Sequence, residues 1–120
     1  MYKRIVIVVA VLALAFSAVG VATALQDPAS VVKGMVSTAK AAVKSASADD
    51  LKAAIDKKEK AIILDVREPG EFAAGHLPGA INVPRGLLEF KVAKAIPDLN
   101  AKIYVYCASG GRAALATKVL

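Results

Sequence analysis

The chain is poor in the residues that staple or metallate small proteins. It has one cysteine, Cys107, and one histidine, His76, in 120 residues. A single cysteine excludes an internal disulfide framework. One Cys and one His also fall short of the three or four ligands zinc usually takes, so no metal is expected. Like-charged residues never run to a block of five, and no basic stripe is interleaved with aromatics, which make up only 5% of the chain. The charges therefore read as a solvated surface, and nucleic acid is not an expected partner. There is no internal repeat and no glycine-rich nucleotide loop of the usual spacing.

What is present begins with an export pattern. Lys3 and Arg4 precede an apolar run from Ile5 to Val21, interrupted weakly by Ser17 and Gly20, and Ala22-Thr23-Ala24 supplies the small-x-small pattern of a signal peptidase site. Residues 1–24 are expected to be a signal peptide cut before Leu25. The alternative is an uncleaved anchor, with residues 5–21 attaching the chain to a membrane at the short limit for a span. The expected location is the periplasm or the exterior, or a membrane-anchored position facing the periplasm. Without Lys3 and Arg4 the sixteen basic residues fall to fourteen against ten acidic, a net charge of +4 instead of +6. A core of this size gives modest stability.

Residues 25–46 are expected to form a helical spacer. Val31, Val32, Met35, Val36, Ala39 and Val43 have approximate helical spacing, and Asp27-Pro28 can start the helix. Val43-Lys44-Ser45 is a candidate short edge strand. A domain follows over 47–120. Ser47 and Asp50 have capping-box spacing ahead of Leu51, Ala54 and Ile55. Ala61–Leu64 is a continuous apolar run, as in a strand covered on both faces. Glu71–Gly75 can make a helical turn, Ala80–Val83 a short strand, Leu87–Ile96 a helix, Ala101–Tyr106 a strand and Arg112–Val119 a helix. Strands alternating with helices predict an α/β fold with a parallel sheet and helices on both faces.

Ligands in such sheets bind beyond the carboxyl ends of the strands. Cys107 sits there, at the head of Cys107-Ala108-Ser109-Gly110-Gly111-Arg112. By count alone, a lone cysteine would be read as an inert core residue. Its neighbours reverse that reading. The glycines let the backbone curl, successive N–H groups can form an anion nest, and the next helix presents its positive end. Arg112 adds a fixed charge, and each feature favours thiolate, the nucleophilic form. Phosphatase loops of this general design place five residues between Cys and Arg, whereas this loop has four, Ala108, Ser109, Gly110 and Gly111. The smaller ring suits a single terminal sulfur atom.

Other polar residues admit two readings each. Asp65 and Arg67 are an active-site pair or a structural hydrogen-bonded pair under the sheet, and the rule that buried charges are paired favours the second. His76 is a general base for Cys107 or a turn-stabilising residue. Arg85 is an attractor for an anionic donor or a solvent-exposed residue. Tyr104 and Tyr106 are read as strand packing.

From Ser47 to Val119 the chain resembles the rhodanese family of single-domain sulfurtransferases. The likeness rests on Ile62-Ile63-Leu64-Asp65-Val66-Arg67-Glu68, on Glu71-Phe72, on Gly75-His76-Leu77-Pro78-Gly79-Ala80-Ile81-Asn82-Val83-Pro84, and on Tyr104-Val105-Tyr106-Cys107 with Ser109, Gly110 and Arg112. The resemblance implies that Cys107 takes sulfane sulfur from a donor such as thiosulfate, becomes a persulfide and passes the sulfur to a thiophilic acceptor. The partners implied are that small-molecule donor and acceptor, with a protein acceptor as a further candidate, and no cofactor is needed. A non-catalytic sulfur carrier docking on a partner and a cysteine-dependent phosphatase are the competing readings. Rhodanese domains continue past this last helix into another strand and a final helix, whereas this sequence ends at Leu120. The resemblance places the absent strand beside Lys102–Tyr106, leaving an unpaired edge. The expectation is a domain incomplete at its C-terminus, poorly folded and weakly active alone.

Overall fold

The computed structural model describes residues 27–120. The expected signal or anchor, and its cleavage before Leu25, lie outside the described residues. Helix α1 spans Pro28–Ala42, with the Asp27 carboxylate accepting the Ala29 N–H and proline in the first turn, where no N–H is needed. Helix α2, Ala48–Asp56, carries the expected capping box: Ser47 Oγ accepts the Asp50 N–H at 3.0 Å, and the Asp50 carboxylate accepts the Ser47 N–H at 2.9 Å. Strand β1 is Ile62–Asp65, helix α3 Pro69–Ala74 and strand β2 Ile81–Asn82. A short 3-10 turn, Arg85–Leu87, leads into helix α4, Leu88–Ala95. Strand β3, Ile103–Tyr106, and helix α5, Gly111–Val119, complete the described chain.

The sheet is parallel throughout, in the order β2-β1-β3. β1 is central, pairing Leu64 with Ile81 on one side and with Val105 on the other. That placement accounts for its apolar sequence, since a central parallel strand has no solvent-facing side. Leu64 and Val66 are fully buried and pack with Val83, Leu88, Ile96, Ala113 and Ala116. Helices α4 and α5 thus hold one face of the sheet. The parallel crossovers bring the strand ends, and everything that follows them, to the same rim.

The strand expected at Val43–Ser45 does not form. Val43 is extended, with φ −110° and ψ 151°, but has no ladder partner. It faces β3 across a groove of about 1150 Å³ lined on one side by Val43, Lys44 and Ser45 and on the other by Tyr104 and Tyr106. A strand is defined by its inter-strand hydrogen bonds, and Val43–Ser45 makes none among the described residues. β3 pairs with β1 alone among the described strands, so its outer backbone groups line that groove.

Candidate active site

Val105 and Tyr106 carry the chain out of the sheet to Cys107, and Gly110 then adopts φ +85°, a left-handed conformation that favours glycine. This reversal aims the first turn of α5 back at the sulfur. The Gly110 N–H donates to Cys107 Sγ at 3.2 Å and the Ala113 N–H at 3.4 Å. Cys107 is partly exposed. Burial raises its pKa, but the N–H groups of Ala113, Ser109, Gly110 and Arg112 outweigh burial and hold the thiol below its ordinary value. Ala113, one residue beyond the loop, also takes part. Unsatisfied N–H groups at a helix start point along its axis, and here that axis meets the sulfur.

Arg112 is placed as a brace. Its guanidinium makes a two-pronged ion pair with Glu71 of α3, at 2.6 and 2.9 Å. Glu71 also accepts the Glu68 N–H at 3.0 Å. The Arg112 bond and then the Glu68 N–H hold the Glu71 carboxyl at about 2, against slight opposition from burial. The Arg112 guanidinium is pushed above its usual range, first by Glu71 and to a lesser degree by the nearby Cys107. Glu71 is the residue that sequence reasoning left without a role. It stands 41 residues from Arg112, and only the fold brings them together.

Asp65 and Arg67 form a second network beneath the loop. Asp65 is completely buried. Its carboxylate accepts Arg67 Nε at 3.1 and 3.0 Å, Nη2 at 2.7 Å and the Arg67 backbone N–H at 2.9 Å. Burial raises the Asp65 pKa, and the Arg67 and Tyr106 hydrogen bonds overcome it, leaving a net depression. Arg67 Nη2 reaches on to the Gly75 carbonyl at 2.7 Å, and its guanidinium lies over the Tyr106 ring at 5.6 Å. Asn82 Nδ2 ties the Asp65 and Arg67 carbonyls together, at 3.0 Å each. The tyrosines do more than pack: the Tyr106 hydroxyl accepts the Leu77 N–H at 3.1 Å and the Tyr104 hydroxyl donates to Glu59 at 3.3 Å.

The remaining candidates stand apart. His76 Nδ1 bonds to the Phe72 carbonyl at 2.9 Å and its ring stacks on Phe72 at 3.7 Å. Among the described residues no hydrogen bond joins it to Cys107. Arg85 anchors its turn by donating its backbone N–H to the Val66 carbonyl, while its Nη1 pairs with Glu89 at 3.0 and 3.1 Å. Its Nε is buried without a hydrogen-bond partner among the described residues.

Known proteins are similar to this chain in sequence and fold. Residues 47–120 match the family described as Rhodanese-like domain. The thiosulfate sulfurtransferase PspE of Escherichia coli strain K12 is 37% identical over 57 residues, 48% of this chain and 55% of that protein. The thiosulfate:glutathione sulfurtransferase of Saccharomyces cerevisiae is 37% identical over 89 residues, 64% of each chain. This chain thus spans less than two thirds of either relative. A solved structure from Rhodopseudomonas palustris, described as a protein of unknown function and possible tyrosine phosphatase, superposes with a TM-score of 0.66 at 32% identity over 73% of each chain. The parallel sheet, the thiol at its rim and the match over more than half the chain agree, and the chain belongs to the rhodanese-like domain family.

Proposed function

We propose that this protein is a sulfurtransferase in which Cys107 carries sulfane sulfur from thiosulfate to a thiophilic acceptor. The observation that carries the reading is the convergence of the Gly110 and Ala113 N–H groups on Sγ. The Cys107 thiolate attacks the outer sulfur of thiosulfate. The new bond joins Sγ to that sulfur, the old S–S bond breaks, and sulfite leaves with the electron pair. The product is a persulfide anion, whose terminal sulfur occupies the nest that first lowered the thiol. An acceptor such as cyanide then attacks that sulfur and restores the thiolate. No proton need move, so the turn-bound His76 is not required. The basic start and apolar run before Ala24 support a site of action outside the cytoplasm.

Incubated with thiosulfate and weighed intact, the protein gains the mass of one sulfur atom and loses it when cyanide is added. The same spectrum gives the chain's start, expected at Leu25 in exported material. No gain in mass overturns the reading. Loading without continuing thiocyanate production makes the protein a stoichiometric carrier. Cys107-dependent hydrolysis of an aryl phosphate makes it a phosphatase.

The Glu71–Arg112 brace yields a separate expectation. Glu71→Gln removes the charge that fixes the start of α5, and turnover with thiosulfate falls about ten-fold, the order expected when a positioned group is displaced by a fraction of an ångström. Glu71 has a depressed pKa, so its pair persists above the ordinary carboxylate range and is lost as pH falls toward about 2. Wild-type turnover thus keeps this contribution across the whole neutral range. Unchanged turnover in Glu71→Gln refutes the role.

A further inference from the structure

We propose that α1 adds an anion-attracting flank to the Cys107 loop, with Lys40 and Lys33 binding the sulfonate end of an anionic sulfur donor. The proposal rests on the sulfur-transfer reading and extends it to donor selection.

Helix α1 lies outside residues 47–120, the part that matches the family. It nevertheless packs along α5 more extensively than any other helix does. The helix lies directly against the two glycines of the loop. A Cβ on Gly111 would come within 3.5 Å of the Val36 side chain, and one on Gly110 within 3.7 Å of Lys40 Cε and 3.8 Å of its Nζ. The lysine tail therefore rests on the same Gly110 whose N–H points to Sγ. Lys33 and Lys40 are seven residues apart, two helical turns, and so share a face. Between that face and the loop runs an open cleft of about 660 Å³ lined by Val32, Lys33, Val36, Lys40, Ser109 and Gly111.

The charges elsewhere around the rim are already partnered. Arg112 is bound to Glu71, Arg67 to Asp65 and Arg85 to Glu89. Lys33 and Lys40 are exposed and enter no ion pair among the described residues. The uncompensated positive charge beside the loop thus comes from α1. Thiosulfate carries two negative charges, and a thiosulfonate also places an anionic group next to the sulfur to be transferred. A neutral donor gains nothing from this flank.

The full-length chain offers a readout independent of turnover, because Cys107 is its only thiol. The ratio of alkylation rates with iodoacetate, an anion, and iodoacetamide, its neutral analogue, cancels the thiolate fraction and reports the local potential. At low ionic strength Lys40→Gln lowers this ratio about three-fold, as expected for one screened charge within several ångströms. The Lys33→Gln/Lys40→Gln double variant lowers it further. Lys40→Arg and the distant Lys91→Gln leave it at the wild-type value. With thiosulfate, the Lys40→Gln variant shows a raised KM at unchanged kcat. An unchanged ratio in the double variant overturns the proposal. So does an equal fall in Lys91→Gln, which would mark a net-charge effect, or equal slowing with both reagents, which would mark loop distortion. A wild-type protein that never transfers sulfur sinks the functional reading but leaves the ratio as a test of the flank.

Discussion

Cys107→Ser will abolish sulfur uptake from thiosulfate, lowering the transfer rate by at least ~10³-fold while the fold is retained. The serine hydroxyl fits the same space and can accept the Gly110 and Ala113 N–H groups. It remains protonated at neutral pH, however, and it offers no sulfur to bond to sulfur. The wild-type thiol is better placed. A free cysteine with a pKa of ~8.5 is only a few per cent thiolate at pH 7. The four backbone donors shift Cys107 downward despite its partial burial, so a larger fraction is ionised. Alkylation by iodoacetamide followed against pH should therefore show a midpoint below that of free cysteine. Circular dichroism of Cys107→Ser should show a melting temperature close to wild type, because serine is nearly isosteric and its oxygen can accept the same N–H groups. Residual sulfur transfer above the stated limit, or an alkylation midpoint at or above that of free cysteine, would remove Cys107 from the centre of the chemistry.

The features that were legible in the sequence share a physical property, which is that they are local. The Ser47 and Asp50 box is three residues wide, and hydroxyl and carboxylate find each other's N–H groups as soon as the turn forms. The Asp65–Arg67 pair spans two residues, and the thiol loop is a strand end, a glycine pair and a helix start in direct succession. Features that depend on partners distant in the chain were not legible. Glu71 meets Arg112 across 41 residues, and nothing in either neighbourhood announces the other. Val43–Ser45 has the composition of a strand, yet strand formation requires a ladder, and the facing edge of β3 stands across a groove. Helix α1 reads as a spacer, or as a docking helix with no surface named for it, because an apolar stripe at approximate helical spacing does not say what it packs on. Its docking beside Gly110 and Gly111 joins it to residues far along the sequence. The additional donor Ala113, one residue past the loop, was not legible for a related reason. The left-handed Gly110 decides which N–H groups face the sulfur, and that dihedral angle is a property of the folded chain.

Asp65→Ala should be strongly destabilising. The carboxylate has no exposed surface, and it anchors the Arg67 guanidinium, the Arg67 backbone and, through Arg67, the Gly75 carbonyl. Removing it leaves a guanidinium against the Tyr106 ring with its principal partner gone. Breaking a fully buried pair costs about 3–5 kcal/mol, and the 18% exposure of the Arg67 side chain reduces this to about 2–4 kcal/mol. A domain of this size has only about 5–10 kcal/mol of total stability, so the melting temperature should fall by roughly 10–25 °C. Asp65→Asn, which keeps a carbonyl acceptor but loses the charge, should fall between the two. The pH dependence has a definite sign. Because the folded pKa of Asp65 is depressed, its stabilisation is complete above the unfolded value of about 3.9 and is lost as pH drops through the lower, folded value. Wild-type protein should therefore lose stability steeply below about pH 4, and the Asp65→Ala curve should be flatter in that window. Equal melting temperatures at pH 7, or parallel acid-unfolding curves, would show that the buried charge is not what holds β1 to the turn at Gly75.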